Sequence, residues 1–85
     1  MWGVSAAQAW IDVSRAYTHG GMYQHAKTAV AMARQIHGVD AEVEYAQGMI
    51  ASECGMVGEA ESLYSTALAI DPHHTASLVA LASIR

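Results

Sequence analysis

Gly21-Met22-Tyr23-Gln24-His25-Ala26, followed by Ala33 and Ile36, returns thirty-four residues later as Gly55-Met56-Val57-Gly58-Glu59-Ala60, followed by Ala67 and Ile70. Ala7 and Ala41 stand at the same offset. Scattered identities would mean little in a chain with seventeen alanines. These sit at a turn and at the small residues where two helices must approach closely. A fixed period of about 20–50 residues marks a repeat architecture.

Working outward from the turns, the segments between them read as helices. Ser5 followed by Gln8 is a capping-box pair, and Trp10, Val13 and Tyr17 then fall on one helical face. Gly20-Gly21 stops this helix, because glycine takes the left-handed conformation without a Cβ clash. A second helix is expected from about Met22 to His37, with Tyr23, Ala26, Val30, Ala33 and Ile36 inward, and Gly38 ends it. Asp40 caps a third that runs to about Cys54 and closes at Gly55. A fourth runs from about Val57 to Ile70, with Ala60, Tyr64, Ala67 and Leu68 inward. Asp71-Pro72 ends it, since proline lacks the amide proton and disfavours a helical residue before it. Thr75 opens a fifth helix that continues to Arg85. No segment alternates with period two for long, so the fold class is all-α.

Composition bounds what such a chain does. Its 85 residues are 53% hydrophobic and 14% charged, against about 25% charged in an average soluble domain. That excludes intrinsic disorder and suggests a surface that is partly covered by something else. Net charge is −4 with four basic residues, which offers no basic patch for nucleic acid or an anionic membrane. Residues 1–39 carry three bases (Arg15, Lys27, Arg34) and one acid (Asp12), whereas residues 40–85 carry seven acids and Arg85 alone. The single cysteine, Cys54, excludes an intramolecular disulfide and points to a reducing, cytoplasmic setting. No apolar run approaches the roughly 18–20 residues of a bilayer span, and Met1-Trp2-Gly3-Val4 does not read as a signal peptide.

The thirty-four-residue helix–turn–helix unit resembles the tetratricopeptide repeat. In repeat 1, about residues 7–40, the family pattern is met by Trp10, Val13, Tyr17, Gly21, Tyr23, Ala26, Val30 and Ala33. It departs at Ser14, where glycine is usual, and at Gly38, where proline is usual. In repeat 2, about residues 41–74, Gly48, Gly55, Ala60, Tyr64, Ala67 and Pro72 match, while Glu44 and Gln47 replace a bulky apolar pair. Residues 75–85 look like a truncated third unit, with Leu78 and Leu81 in the apolar places. The stretch Leu68-Ala69-Ile70-Asp71-Pro72-His73-His74 with Ser77-Leu78 is also similar to two groups within the family. These are plant calmodulin-binding proteins related to pollen germination, and repeat subunits that scaffold a phosphatidylinositol kinase.

The resemblance implies a right-handed α-solenoid whose first helices line a concave groove. Carried over, the groove places fall on Gln8, Ile11, Arg15, Thr18 and His19, then on Glu42, Tyr45, Met49, Ser52 and Glu53, and last on Ala76, Val79 and Ser83. Relatives that grip a carboxylate tail use Lys, Asn and Arg there. Here Ile11, Arg15 and Ala46 stand in those positions, so no two-carboxylate clamp is expected. An apolar helical or extended peptide fits better, with Tyr45 and Met49 alternatively packing against a neighbouring helix. The resemblance makes the chain a protein-interaction scaffold, either binding a protein partner or continuing a longer array of repeats. A second possibility is self-association through the nearly uncharged helix 75–85, because stacked repeats normally finish with a polar cap.

Chemistry is expected to be absent. His73-His74 and Cys54 lack the spacing of a zinc site, and His19 and His25 bracket a turn without further ligands. Cys54 before Gly55 reads as a small apolar residue rather than a nucleophile. Glu59 and Glu61, two apart on a helix, do not face each other. Gly20-Gly21 and Gly55 with Gly58 lie between helices, without the strand that a phosphate loop needs. No cofactor, no metal and no catalytic residue are expected. Trp2 fits an expression remnant, a plug over the first unit, or part of a preceding helix.

Overall fold

The computed structural model describes residues 6–84, and the side chain of Ala7 is not included. The expectations for Trp2, for Ser5 as a cap and for Arg85 therefore lie outside the described residues. Within them the chain is helical throughout: α1 (Ala6–His19), α2 (Tyr23–His37), α3 (Ala41–Glu53), α4 (Val57–Ile70) and α5 (Thr75–Ile84). The extents are 38 × 28 × 18 Å.

The sequence period is repeated in the backbone. At the end of α1, Gly21 takes φ +78° and its N–H donates to the Thr18 carbonyl at 3.1 Å, while Met22 N–H donates to Tyr17 at 2.8 Å. At the end of α3, Gly55 takes φ +84°, with Gly55 bonded to Ser52 at 3.1 Å and Met56 to Ala51 at 2.8 Å. This paired arrangement satisfies the last carbonyls of a helix around one left-handed residue, which only glycine adopts without strain. Each turn reverses the chain into a helical hairpin, α1 on α2 and α3 on α4. Ala26 and Ala33 in one hairpin, and Ala60 and Ala67 in the other, are fully buried where the helices meet.

The hairpins stack through α3, which packs on α4 while touching α1 and α2 on its other side. Its buried residues therefore run all round it, from Val43 and Ala46 to Gly48, Ile50 and Ala51, as expected of a helix enclosed by neighbours. Ile11, Ala26, Val30, Ala33, Val43, Ala46 and Ile50 form one core cluster, flanked by Trp10, Tyr17 and Tyr23. Ala51, Ala60 and Tyr64 form a second, against which Tyr45, Met49, Leu63, Ala80, Leu81 and Ile84 pack.

Three expectations need correction. The inward face of α1 is Ile11, Ser14 and Thr18, with Val13 outside. The hydroxyls of Ser14 and Thr18 donate back to the helix, to Ile11 O and Ser14 O at 2.7 Å each, and can be buried for that reason. Ile36 on α2 is 48% exposed, outside the buried row Ala26, Val30 and Ala33. Cys54 is also exposed, as the residue on which α3 ends before the Gly55 turn.

The polar pair Glu44 and Gln47 is held by α2. Arg34 Nη1 meets Glu44 Oε2 at 2.7 Å, and Nη2 donates to Gln47 Oε1. Glu44 is only 7% exposed, against 37% for Arg34. A charge this well buried needs its partner. The unconventional packing of α3 is thus an ion pair between the hairpins.

Candidate interaction cleft

Asp40 starts α3 by accepting from Glu42 N–H at 2.9 Å, an N-cap that supplies an acceptor to a helix end otherwise lacking one. From there Tyr45, Met49 and Glu53 recur every four residues and form a stripe along one side of the helix. α5 faces this stripe. Between them lies a cleft of ≈ 260 Å³, with Tyr45, Met49, Ser52 and Glu53 on α3, Ala80, Ser83 and Ile84 on α5, and Tyr64 of α4 as its floor.

His74 sets the angle between the walls. It stands thirty-four residues after Asp40, and like Asp40 it closes the first turn of the helix that follows. Ser77 N–H donates to its Nδ1 at 3.3 Å, and the Ser77 hydroxyl lies 2.7 Å from the same nitrogen. Two donors on Nδ1 place the ring proton on Nε2, which is 2.5 Å from Glu42 Oε2 on α3. The ring also lies 5.4 Å from that of Tyr45, tilted by 60°. One buried imidazole thus caps α5, ties it to α3 and supports the cleft wall. Beyond this tie α5 leans on α4, so the cleft opens towards the far ends of α3 and α5.

The floor is aromatic. Tyr45 and Tyr64 have ring centroids 5.7 Å apart, tilted by 38°, within the range of favourable ring pairs. Burial pushes the Tyr64 hydroxyl above its ordinary value of 10.0; Tyr45 and Glu53 add to this, and a hydrogen bond with Ser52 opposes it. Tyr64 therefore keeps its proton at neutral pH.

The sequence-expected groove residues divide into four groups. Tyr45, Met49, Ser52, Glu53 and Ser83 line the cleft. Gln8, Arg15 and His19 lie along the outer side of α1, away from it, and Val79 and Ala76 are exposed on α5. Ile11 is 2% exposed and belongs to the core. In the second unit its place is taken by Tyr45, which packs against the third unit's helix; Ile11 is buried in the same cluster as Val43, Ala46 and Ile50 of α3. Glu42 is held by His74 while its side chain remains 42% exposed. Ala80, Ile84 and the bridging role of His74 were not anticipated, although the register with Asp40 contains the signal for His74.

A second hollow, of ≈ 310 Å³, lies on the seam between the hairpins, lined among others by Lys27 on α2, Ile50 and Cys54 on α3, and Glu59 and Leu63 on α4. Among the described residues, no three His, Cys, Asp or Glu side chains are grouped to hold a metal ion. No helix there is long and apolar enough to cross a membrane. No protein-family model, characterised protein or solved structure matches the chain.

Proposed function

We propose that the chain is a protein-interaction module of the tetratricopeptide kind, which takes a partner helix or peptide in the cleft between α3 and α5. The observation that carries this is the cleft itself: an aromatic-floored channel between the first helices of consecutive units, with Tyr45, Met49, Ala80 and Ile84 as its apolar walls and Ser52, Glu53 and Ser83 as its polar ones over Tyr64. Grooves of this kind take the apolar face of an amphipathic helix through anchors one turn apart. The repeated turns at Gly21 and Gly55, with identical hydrogen bonding, support the family reading. The test is heteronuclear NMR of the labelled protein titrated with amphipathic helical peptides carrying leucine anchors. Shifts concentrated on α3 and α5 are expected. Shifts confined to α2 and α4, or none with any peptide, would overturn the assignment.

A second reading has its own observation. Leu78 and Val79 are 50% and 59% exposed on a helix without a charge from Thr75 to Ile84. Such a face favours self-association. Sedimentation at micromolar concentration separates the two, since Leu78→Glu should dissociate an oligomer built on α5 while leaving the cleft open.

A further inference from the structure

We propose that the partner of the α3–α5 cleft is cationic: an amphipathic helix with a lysine or arginine one turn from its apolar anchor. This rests on the cleft being a binding groove and specifies what it takes.

Charge complementarity carries the inference. Glu53 is the one charged side chain lining the cleft. It stands one helical turn beyond Met49, about 6 Å along the axis at 1.5 Å per residue. Among the described residues it has no ion-pair partner; the ion pairs there join Arg34 to Glu44, His37 to Asp40 and His74 to Glu42. Residues 40–85 hold seven acids against Arg85 alone, which lies outside the described residues, and the described bases Arg15, Lys27 and Arg34 lie on α1 and α2. An acidic partner would bring like charge to Glu53, and a neutral one would leave a half-apolar pocket beside an unpaired carboxylate. A cationic helix answers both walls: its apolar anchor covers Met49 and Ala80, and its basic head reaches Glu53 one turn further along α3. Long basic side chains lay their methylenes on apolar surface while the head remains in water.

The probe is a fluorescently labelled amphipathic helical peptide of about four turns, with leucine anchors and lysine one turn from each. Two companions replace lysine by glutamine and by glutamate. Anisotropy titrations are made with the wild type, Glu53→Gln and Ser83→Trp; Glu53 and Ser83 are exposed, and circular dichroism checks that each variant remains folded. The lysine peptide should bind tightest and the glutamate peptide weakest. Glu53→Gln should weaken the lysine peptide by about 2- to 5-fold, the scale of an exposed ion pair, and leave the glutamine peptide unchanged. Ser83→Trp, which fills the cleft, should abolish binding of all three. Raising the ionic strength towards 1 M, where the screening length is about 3 Å, should remove the preference.

Equal binding of the lysine and glutamate peptides, both lost in Ser83→Trp, would leave the groove standing and overturn the cationic partner. Failure of every peptide to bind would overturn the groove as well. Binding that survives Ser83→Trp would place the ligand elsewhere and sink the proposal. A dimer that Ser83→Trp dissociates would put a second copy in the cleft and equally overturn it.

Discussion

A single methyl group at Gly48 tests the packing that holds the cleft floor in place. A Cβ on this residue would lie 2.6 Å from Tyr64 Cε1, 2.8 Å from Cδ1 and 3.2 Å from Cζ. Carbon atoms rest about 3.5–4.0 Å apart, so in Gly48→Ala the ring must retreat by roughly 1 Å. Tyr64 is 3% exposed and packed against Ala51 and Ala60, with the cleft on its open side, so the ring shifts towards the cleft or the α3–α4 hairpin opens. Overpacking of this kind costs about 1–3 kcal/mol, while alanine returns about 0.8–1.0 kcal/mol of helix propensity. The net expectation is a loss near 1 kcal/mol, or about 4–8 °C in Tm for a domain of this size. Gly58 is the control. It lies in the first turn of α4 with nothing within 4 Å of its would-be Cβ, so Gly58→Ala should gain about 0.5 kcal/mol. Thermal and urea unfolding followed by circular dichroism read both. The equivalent pair in the first hairpin is Ser14 opposite Val30, a larger residue on the first helix matched by a smaller one on the second. Tyr64→Val alone should cost about 2–3 kcal/mol through the cavity it leaves. Gly48→Ser with Tyr64→Val rebuilds the first hairpin's pair and should be about 1 kcal/mol more stable than the sum of the two changes. Two glycine variants shifted alike, or strictly additive double variants, would refute the close approach of α3 and α4.

His74→Ala should cost about 1–2 kcal/mol by leaving the Ser77 hydroxyl buried without its partner, and should raise amide exchange chiefly in α5; His74→Asn should recover the first-turn part, and unchanged exchange in α5 would remove the tie to Glu42. Arg34→Ala strands the Glu44 carboxylate and should lose about 1–3 kcal/mol, less than the roughly 3–5 kcal/mol of a fully buried pair because the guanidinium is partly in water. Arg34→Leu with Glu44→Leu should regain most of it in urea unfolding. For Tyr64, a folded-state pKa above 10.0 means that the native chain holds the proton more tightly than the unfolded one. Its contribution is complete below pH 10.0 and declines above it, by at most about 1.4 kcal/mol per pH unit; in Tyr64→Phe the decline between pH 10 and the folded value should be shallower.

The helices and their ends were legible because they are written in local chemistry. Gly21, Gly55, Asp40 and Asp71-Pro72 each act within a turn of where they stand, and the observed bounds of α2 to α4 follow them to within about a residue or two. The rotation of α1 was not legible. Trp10, Val13 and Tyr17 are its conspicuous apolar residues, but the core takes Ile11, Ser14 and Thr18, one position on. A serine or threonine that returns its hydroxyl to its own helix packs as a small apolar group, and hydrophobic periodicity does not register it. Glu44 was hidden for a different reason: what makes its burial tolerable is Arg34, across the turn between α2 and α3. Exposure at Cys54 likewise follows from how the chain leaves α3 and not from the residue's own preference.

Two of the many positions at which the repeats differ bear on the cleft. Where α1 meets α3, the residue at the first is Ile11, a compact aliphatic side chain that disappears into the core. Thirty-four residues on, where α3 meets α5, it is Tyr45, whose ring cannot be enclosed in the same way and instead rests against Tyr64 and His74. The helix start changes in step. Asp40 satisfies its cap with its own short side chain, whereas His74 reaches across to Glu42 while capping α5. Tyr45 and His74 thus meet at the end of the cleft where the Glu42 contact ties α5 to α3. Both differences fall in the second repeated unit, which also carries most of the acidic charge. The aromatic floor and most of the acidic charge fall at the second interface and not at the first, which is the ground for proposing α3–α5 as the binding surface.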